Sequence, residues 1–346
     1  MSRSLKNHPA ISAQTRARVA EQAVRMGYRP RNARNPAEAF IGGDLVRSPS
    51  DAAPTGLVHL AVICRGSLSA ASLHNAVDLR IIQGMSTAAR AQRATLHIEY
   101  LPPDEFDHLH NREVWPLILQ ERIVSGALLV TAPSSAALHA LAAHFPCVQF
   151  IASSAVIPVD RVTEDSLRSM GQLFDHLTTL GHQKIGLADF GFTAGWARAR
   201  FAAYVQTVME RGPGYFPTDA NYFPGDTSAG AQRAAKVAQT IEHRWRQDGV
   251  SAWICMDDYI GYLLLAALRQ RGVRVPEDVS VCGFDNFDPP EGLPKLTSID
   301  GPFEAMGAVA VRRLLRRVAH QQNELMHLMM DCRLVQGAST GPARTV

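Results

Sequence analysis

The chain has 346 residues, 46% hydrophobic and 19% charged, with a net charge of +3. That composition belongs to a globular protein with room for two compact units and no need of metal or disulfide staples. The cysteines, Cys64, Cys147, Cys255, Cys282 and Cys332, are odd in number and form no CxxC pair, which argues against zinc ligation and a disulfide framework and marks them as small core residues. No leader-like segment and no apolar run of bilayer length occurs, so a cytoplasmic location and no membrane partner are expected.

Charge is unevenly spread. Arg3, Lys6, Arg16, Arg18, Arg25, Arg29, Arg31 and Arg34 stand against Glu21 alone in the first 34 residues, whereas acids outnumber bases beyond them. A basic head on a mildly acidic body suits phosphate contact by the head, although charge alone favours a basic disordered tail. Ser12 offers an N-cap, and Val19, Ala20, Ala23 and Val24 recur at helical spacing until Gly27 ends the run. Residues 31–56 have the Pro, Gly, Ser, Asp and Arg content of a linker.

From Leu57 onward short apolar runs alternate with amphipathic stretches, the pattern of βαβ units. The expected strands are 59–64, 95–100, 126–131, 147–151, 184–188, 253–256, 279–284 and 296–299. Helices are expected over 79–93, 166–181, 200–211, 230–247, 260–272 and 306–320. So many alternations imply an α/β fold of two doubly wound parallel-sheet lobes. Ligands bind beyond the carboxyl ends of such strands, and two facing lobes make a cleft suited to a small molecule.

The sequence offers no support for catalysis or a metal, and no cofactor is expected. Gly337-Ala338-Ser339-Thr340-Gly341 fits GxSxG but lies too near the chain end for later triad partners. Asp189-Phe190-Gly191 lacks every other kinase motif. His108 and His110 read as solvated surface rather than ligands, and Arg312, Arg313, Arg316 and Arg317 as the charged outer face of an amphipathic helix.

Several stretches carry a resemblance. Pro276-Glu277-Asp278-Val279-Ser280-Val281-Cys282-Gly283-Phe284-Asp285-Asn286 resembles the PEDVSVxGFDD signature of the lactose/galactose-repressor (LacI/GalR) family. In that family's order, Leu180-Gly181-His182 resembles LGH, Arg200 to Tyr204 resembles RxxGY, Cys255 to Ile260 resembles CxNDxxA, and Lys295 to Ile299 resembles PLTTI. Gln336 to Thr340 resembles the closing RGST, and Ser2 to Ser12 resembles SRALNNHPRIS.

The resemblance implies a remnant of a helix-turn-helix headpiece over 1–34, a hinge over 35–56, and a periplasmic-binding-protein-like, dimer-forming effector domain over 57–340. Lobe 1 is expected over about 57–160 with a returning segment near 295–320, and lobe 2 over about 161–290 with a C-terminal strand. Because the family's headpiece begins with a helix and turn before SRAL, one expectation is a start upstream of Met1, a GUG valine codon having been read as the initiator. A true truncation is the alternative. Ser2 and Arg3 fall at the end of the implied reading helix, Arg3 being suited to guanine, while Arg16, Arg29, Arg31 and Arg34 suit phosphates. Pro36 follows Arg34-Asn35 where the family's hinge helix has a leucine pattern, which puts hinge behaviour in question.

In the cleft the resemblance assigns effector contacts to Arg200, Asp258 and Asp165. Each has a plainer reading: Arg200 as a surface charge, Asp258 as the cap of a helix starting near Ile260, and Asp165 as the cap of the helix from Ser166. The implied protein is a homodimeric repressor of a palindromic operator, controlled by a small effector, in the family usually a carbohydrate. An effector-binding protein of the same fold without specific DNA binding is the alternative; an α/β hydrolase is a third, separable by turnover of a sugar panel.

Overall fold

Each of the two sheets has a hydrophobic core on both faces, so its central strands are apolar on both sides rather than alternating. In the computed structural model the described residues are 57–66, 76–150, 159–188, 195–211, 230–319 and 324–344. The expected headpiece and hinge lie outside them, with Ser2, Arg3, Arg16, Arg29, Arg31 and Arg34, as does Asp189-Phe190-Gly191.

The first sheet is parallel throughout, in the order β10-β5-β4-β3-β1-β2. Its strands are β1 (Val58–Arg65), β2 (Ala94–Leu101), β3 (Gly126–Leu129), β4 (Cys147–Phe150), β5 (Asp160–Glu164) and β10 (His327–Met330). Alternate residues of β1 serve two cores: Leu60, Val62 and Cys64 meet Met85, Phe150 and Leu314, while Ala61 and Ile63 meet Phe106, Trp115 and Leu138. The second sheet runs β11-β9-β8-β7-β6. It is built from β6 (Ile185–Ala188), β7 (Ala252–Cys255), β8 (Ser280–Phe284) and β9 (Thr297–Asp300), with β11 (Arg333–Val335) antiparallel on β9. Here Trp253 and Cys255 enter one core and Ala252 and Ile254 the other.

The helices are α1 (Ala76–Ala91), α2 (Pro103–Asp107), α3 (Leu117–Gln120), α4 (Ser135–Ala142), α5 (Ser166–Thr179), α6 (Gly195–Arg211), α7 (Gly230–Asp248), α8 (Asp258–Gln270) and α9 (Phe303–Val318). None of the described helices is long and apolar enough to cross a membrane. All five cysteines are free and buried, and burial raises their thiol pKa values, so they behave as small core residues.

The lobe limits differ from expectation. Residues 160–164 pair within the first sheet because Val148, Gln149 and Phe150 align with Asp160, Arg161 and Val162. The segment 295–320 is divided: β9 aligns its Thr297, Ser298 and Ile299 with Cys282, Gly283 and Phe284 of the second sheet, and α9 packs on the first. The backbone therefore changes lobe at Asp165, around Gly301-Pro302, and at Asp331-Cys332.

One other expectation changes. Arg313 is not on an outer face: it is 5% exposed and grips Asp160, itself 1% exposed, through two bonds of 2.9 and 3.0 Å. Ser339, the middle of the GxSxG match, is fully buried; its hydroxyl donates to the Val281 carbonyl and accepts from the Thr297 amide, tying the chain end to β8 and β9. Nearby, buried His182 contacts Ser251 through Nδ1 and Ser280 and the Gly341 carbonyl through Nε2, and burial lowers its pKa, which favours the neutral ring.

Where α1 crosses α9, glycine is required on both. A Cβ on Gly84 would stand 1.8 Å from the Glu304 carbonyl oxygen, and one on Gly307 would stand 2.0 Å from that of Ile81. Backbone rather than a movable side chain blocks each position, so Gly307→Ala should cost at least about 1–3 kcal/mol. A urea midpoint equal to the parent's would show that the two helices separate freely.

Candidate functional site

A cleft of about 1050 Å³ opens between the carboxyl ends of the two sheets. Arg200, on α6, lines it and is only 3% exposed. Nε and Nη2 donate to the two oxygens of Glu164 at 2.7 and 3.0 Å, Nη2 also donates to Asp285 at 2.9 Å, and Nη1 donates to the Met256 carbonyl. The Phe284 ring lies beneath the cation at 4.4 Å, with Trp196 at 5.0 Å. Glu164 ends β5 of the first lobe and Asp285 follows β8 of the second, so Arg200 joins the lobes. Burial lowers the guanidinium's pKa, but the Asp285 and Glu164 carboxylates outweigh it and keep the group charged.

Asp285 reaches this position at a backbone cost. Its φ is +95° and that of Asn286 +55°, values non-glycine residues rarely adopt. Burial raises the Asp285 carboxyl to about 6 despite the neighbouring Arg200.

The three residues singled out from sequence separate into different roles. Arg200 lines the cleft, but as a buried cation paired with two carboxylates rather than a surface charge. Asp165 also lines it, and its carboxylate caps α5 by accepting from the Arg168 amide at 2.9 Å. Asp165→Ala should lower stability by about 1 kcal/mol, read as a shift in the urea midpoint; an unchanged midpoint would show that the cap contributes nothing.

Asp258 is not among the residues lining the cleft. It is fully buried, accepting from the Phe287 amide and the Ser298 hydroxyl, both at 2.8 Å. Nor does it cap α8. The cap is Asp257, whose carboxylate accepts from the Ile260 amide at 2.8 Å and which also lines the cleft.

Sequence reasoning thus missed Glu164, Asp257 and Asp285 as site residues. Each stands just at or beyond a strand's carboxyl end, a position that signals a ligand site once the strand is recognised. Asp285 falls within the PEDVSVxGFDD-like stretch, a signature that by itself assigns it no contact.

Asp78, in the first turn of α1, is another cleft carboxylate. It accepts no hydrogen bond among the described residues, and burial raises its pKa to about 6. Between an unfolded value near about 3.9 and that folded value, the folded state binds more protons, so stability falls as pH rises through the window. Asp78→Asn should therefore raise the melting midpoint at pH 7.5 and leave it nearly unchanged at pH 4. A loss of stability at pH 7.5 would reveal a favourable partner for the charge.

Comparison with known proteins agrees with this geometry. The family model described as "Periplasmic binding protein-like domain" matches residues 174–340. The chain is 30% identical over 161 residues to the HTH-type transcriptional repressor PurR of Photobacterium profundum, covering 46% of each chain. It spans about half the length of several of the curated relatives it matches. With the HTH-type transcriptional repressor CytR of Escherichia coli it is 25% identical over 344 residues, 98% of this chain and 92% of the relative. Among solved structures, a transcriptional regulator CelR in complex with cellobiose superposes with a TM-score of 0.67 at 20% identity, covering 98% of this chain and 94% of that one. The motifs, the two-lobed fold and these relatives make the chain similar to transcriptional regulators of the LacI/GalR family, and its body has the fold of a periplasmic-binding-protein-like domain.

Proposed function

We propose that this protein is a transcriptional repressor whose affinity for DNA is set by a small carbohydrate-like effector bound between its lobes. The observation that carries the reading is the Arg200 junction, where one buried cation of lobe 2 holds a carboxylate of lobe 1 inside a cleft at the strand ends. Groups from both lobes face one space, so a ligand there has different contacts in open and closed arrangements, and that difference is what can shift an equilibrium. Arg200, Asp257 and Asp285 supply donors and acceptors suited to hydroxyls, with Asp165 at the lobe crossover. Asp258 acts from behind, holding the Phe287 loop. In the head, Ser2 and Arg3 contact base edges, while Arg16, Arg29, Arg31 and Arg34 contact phosphates. A homodimer places two such heads on a palindromic operator.

The test is selection of DNA from a random library by the full chain, followed by anisotropy titration of the enriched sequence with and without sugars. Enrichment of a palindrome whose affinity one sugar changes is the expected result. Failure to enrich any sequence, with sugar binding intact, would leave an effector-binding protein without specific DNA recognition.

A further inference from the structure

The cleft carries an excess of negative charge that the fold does not consume, and this constrains what it binds. Asp78, Asp107, Glu164, Asp165, Asp257 and Asp285 line it against Arg65, Arg198 and Arg200. Arg65 is matched by Asp107 at 3.1 Å, both largely exposed, and Arg200 is shared between Glu164 and Asp285. Asp165 and Asp257 are turned to their helix amides. Arg198 is exposed at the rim, and His327 has its pKa lowered by burial and by Arg161, so it adds little positive charge at neutral pH. Asp78 remains: a half-buried carboxylate facing the cleft with no hydrogen-bond donor among the described residues.

In an unliganded cleft open to solvent, water can satisfy that carboxylate. A ligand that displaces the water must return donors to it, because a desolvated, unpaired carboxylate is costly. Hydroxyl and ammonium groups do so. A ligand carboxylate or phosphate instead adds like charge, and Arg200, the buried cation that would receive it, already holds two carboxylates.

We propose that the effector is a hydroxyl-rich molecule, uncharged or bearing an ammonium group, and that Asp78 accepts from one of its donors while excluding carboxylated and phosphorylated analogues. This rests on the sensor reading above and adds charge selectivity to it. A like charge about 5 Å from Asp78 should weaken binding on the order of a hundredfold.

The experiment is thermal-shift and calorimetric titration of the full chain with a panel sorted by charge: neutral pentoses, hexoses and disaccharides, amino sugars, sugar acids and sugar phosphates. Binding confined to neutral or amino members, and weakened about 10- to 100-fold by Asp78→Asn, is the expected result. The melting midpoint of the unliganded variant shows that it folds. A sugar acid or phosphate binding the parent chain within tenfold of the best neutral member would overturn the inference and leave the sensor reading standing. Unchanged affinity in Asp78→Asn would overturn the role given to Asp78. If no member of the panel binds, the carbohydrate-sensor reading falls, and this inference with it.

Discussion

Replacing Arg200 with alanine should destabilise the protein by about 3–5 kcal/mol, because it leaves two carboxylates buried without their cation. Glu164 and Asp285 would then face each other across the lobe junction, and the Met256 carbonyl would lose its donor. The Asp285 carboxyl is already raised to about 6 by burial, and loss of the cation removes the interaction that favours its ionised form. Protonation then relieves the repulsion, so the deficit should shrink between pH 7.5 and pH 5. Urea denaturation at the two pH values measures it. A cost below about 1 kcal/mol would mean that the triad is as well solvated as a surface pair.

Asp160→Ala should have an effect of similar size, about 3–5 kcal/mol, away from the Arg200 junction. Asp160 accepts two bonds from Arg313 and one from the Met326 amide, and Arg317 lies 3.6 Å away. This pair fastens α9 and the start of β10 to β5 at the edge of the first sheet. Removing the carboxylate takes a charged acceptor from buried Arg313, whereas replacing both partners with apolar residues removes the cost of burying either charge. Asp160→Leu with Arg313→Met should therefore be more stable than Asp160→Ala alone, in urea melts of the unliganded chain. A double variant worse than the single one would show that packing, not charge, dominates this position.

How much of this was legible in the sequence follows from burial. The strands read correctly, such as the run around Leu60 to Cys64, are apolar on both faces because each face meets a separate core. The strand Asp160–Glu164 was missed because four of its five residues are polar or charged, three of them for specific reasons. Asp160 is the anchor for Arg313, Thr163 meets His327 at 2.7 Å, and Glu164 is the Arg200 partner. His327–Met330 is an edge strand with half its side chains exposed, so neither alternation nor an apolar run marks it strongly.

The site was legible by type rather than by position. Arg200 was identified, but its partners were not, because an ion pair linking residues 36 and 85 positions apart leaves no local pattern. The confusion of Asp257 with Asp258 is a one-residue matter of helix phase. Two adjacent aspartates offer one cap and one buried acceptor, and only the start of α8 at Asp258 decides between them. The arginines of α9 show the same limit: helical spacing marks a charged face, yet only the fold reveals that Arg313 turns inward to Asp160.

The most direct test of the central claim is a crystal structure of the chain with whichever neutral or amino sugar stabilises it most. The account predicts density for the sugar between the lobes, with Arg200 or Asp257 contacting it from one side and Asp78 from the other. Density on an outer surface, with the interlobe space filled only by water, would contradict it.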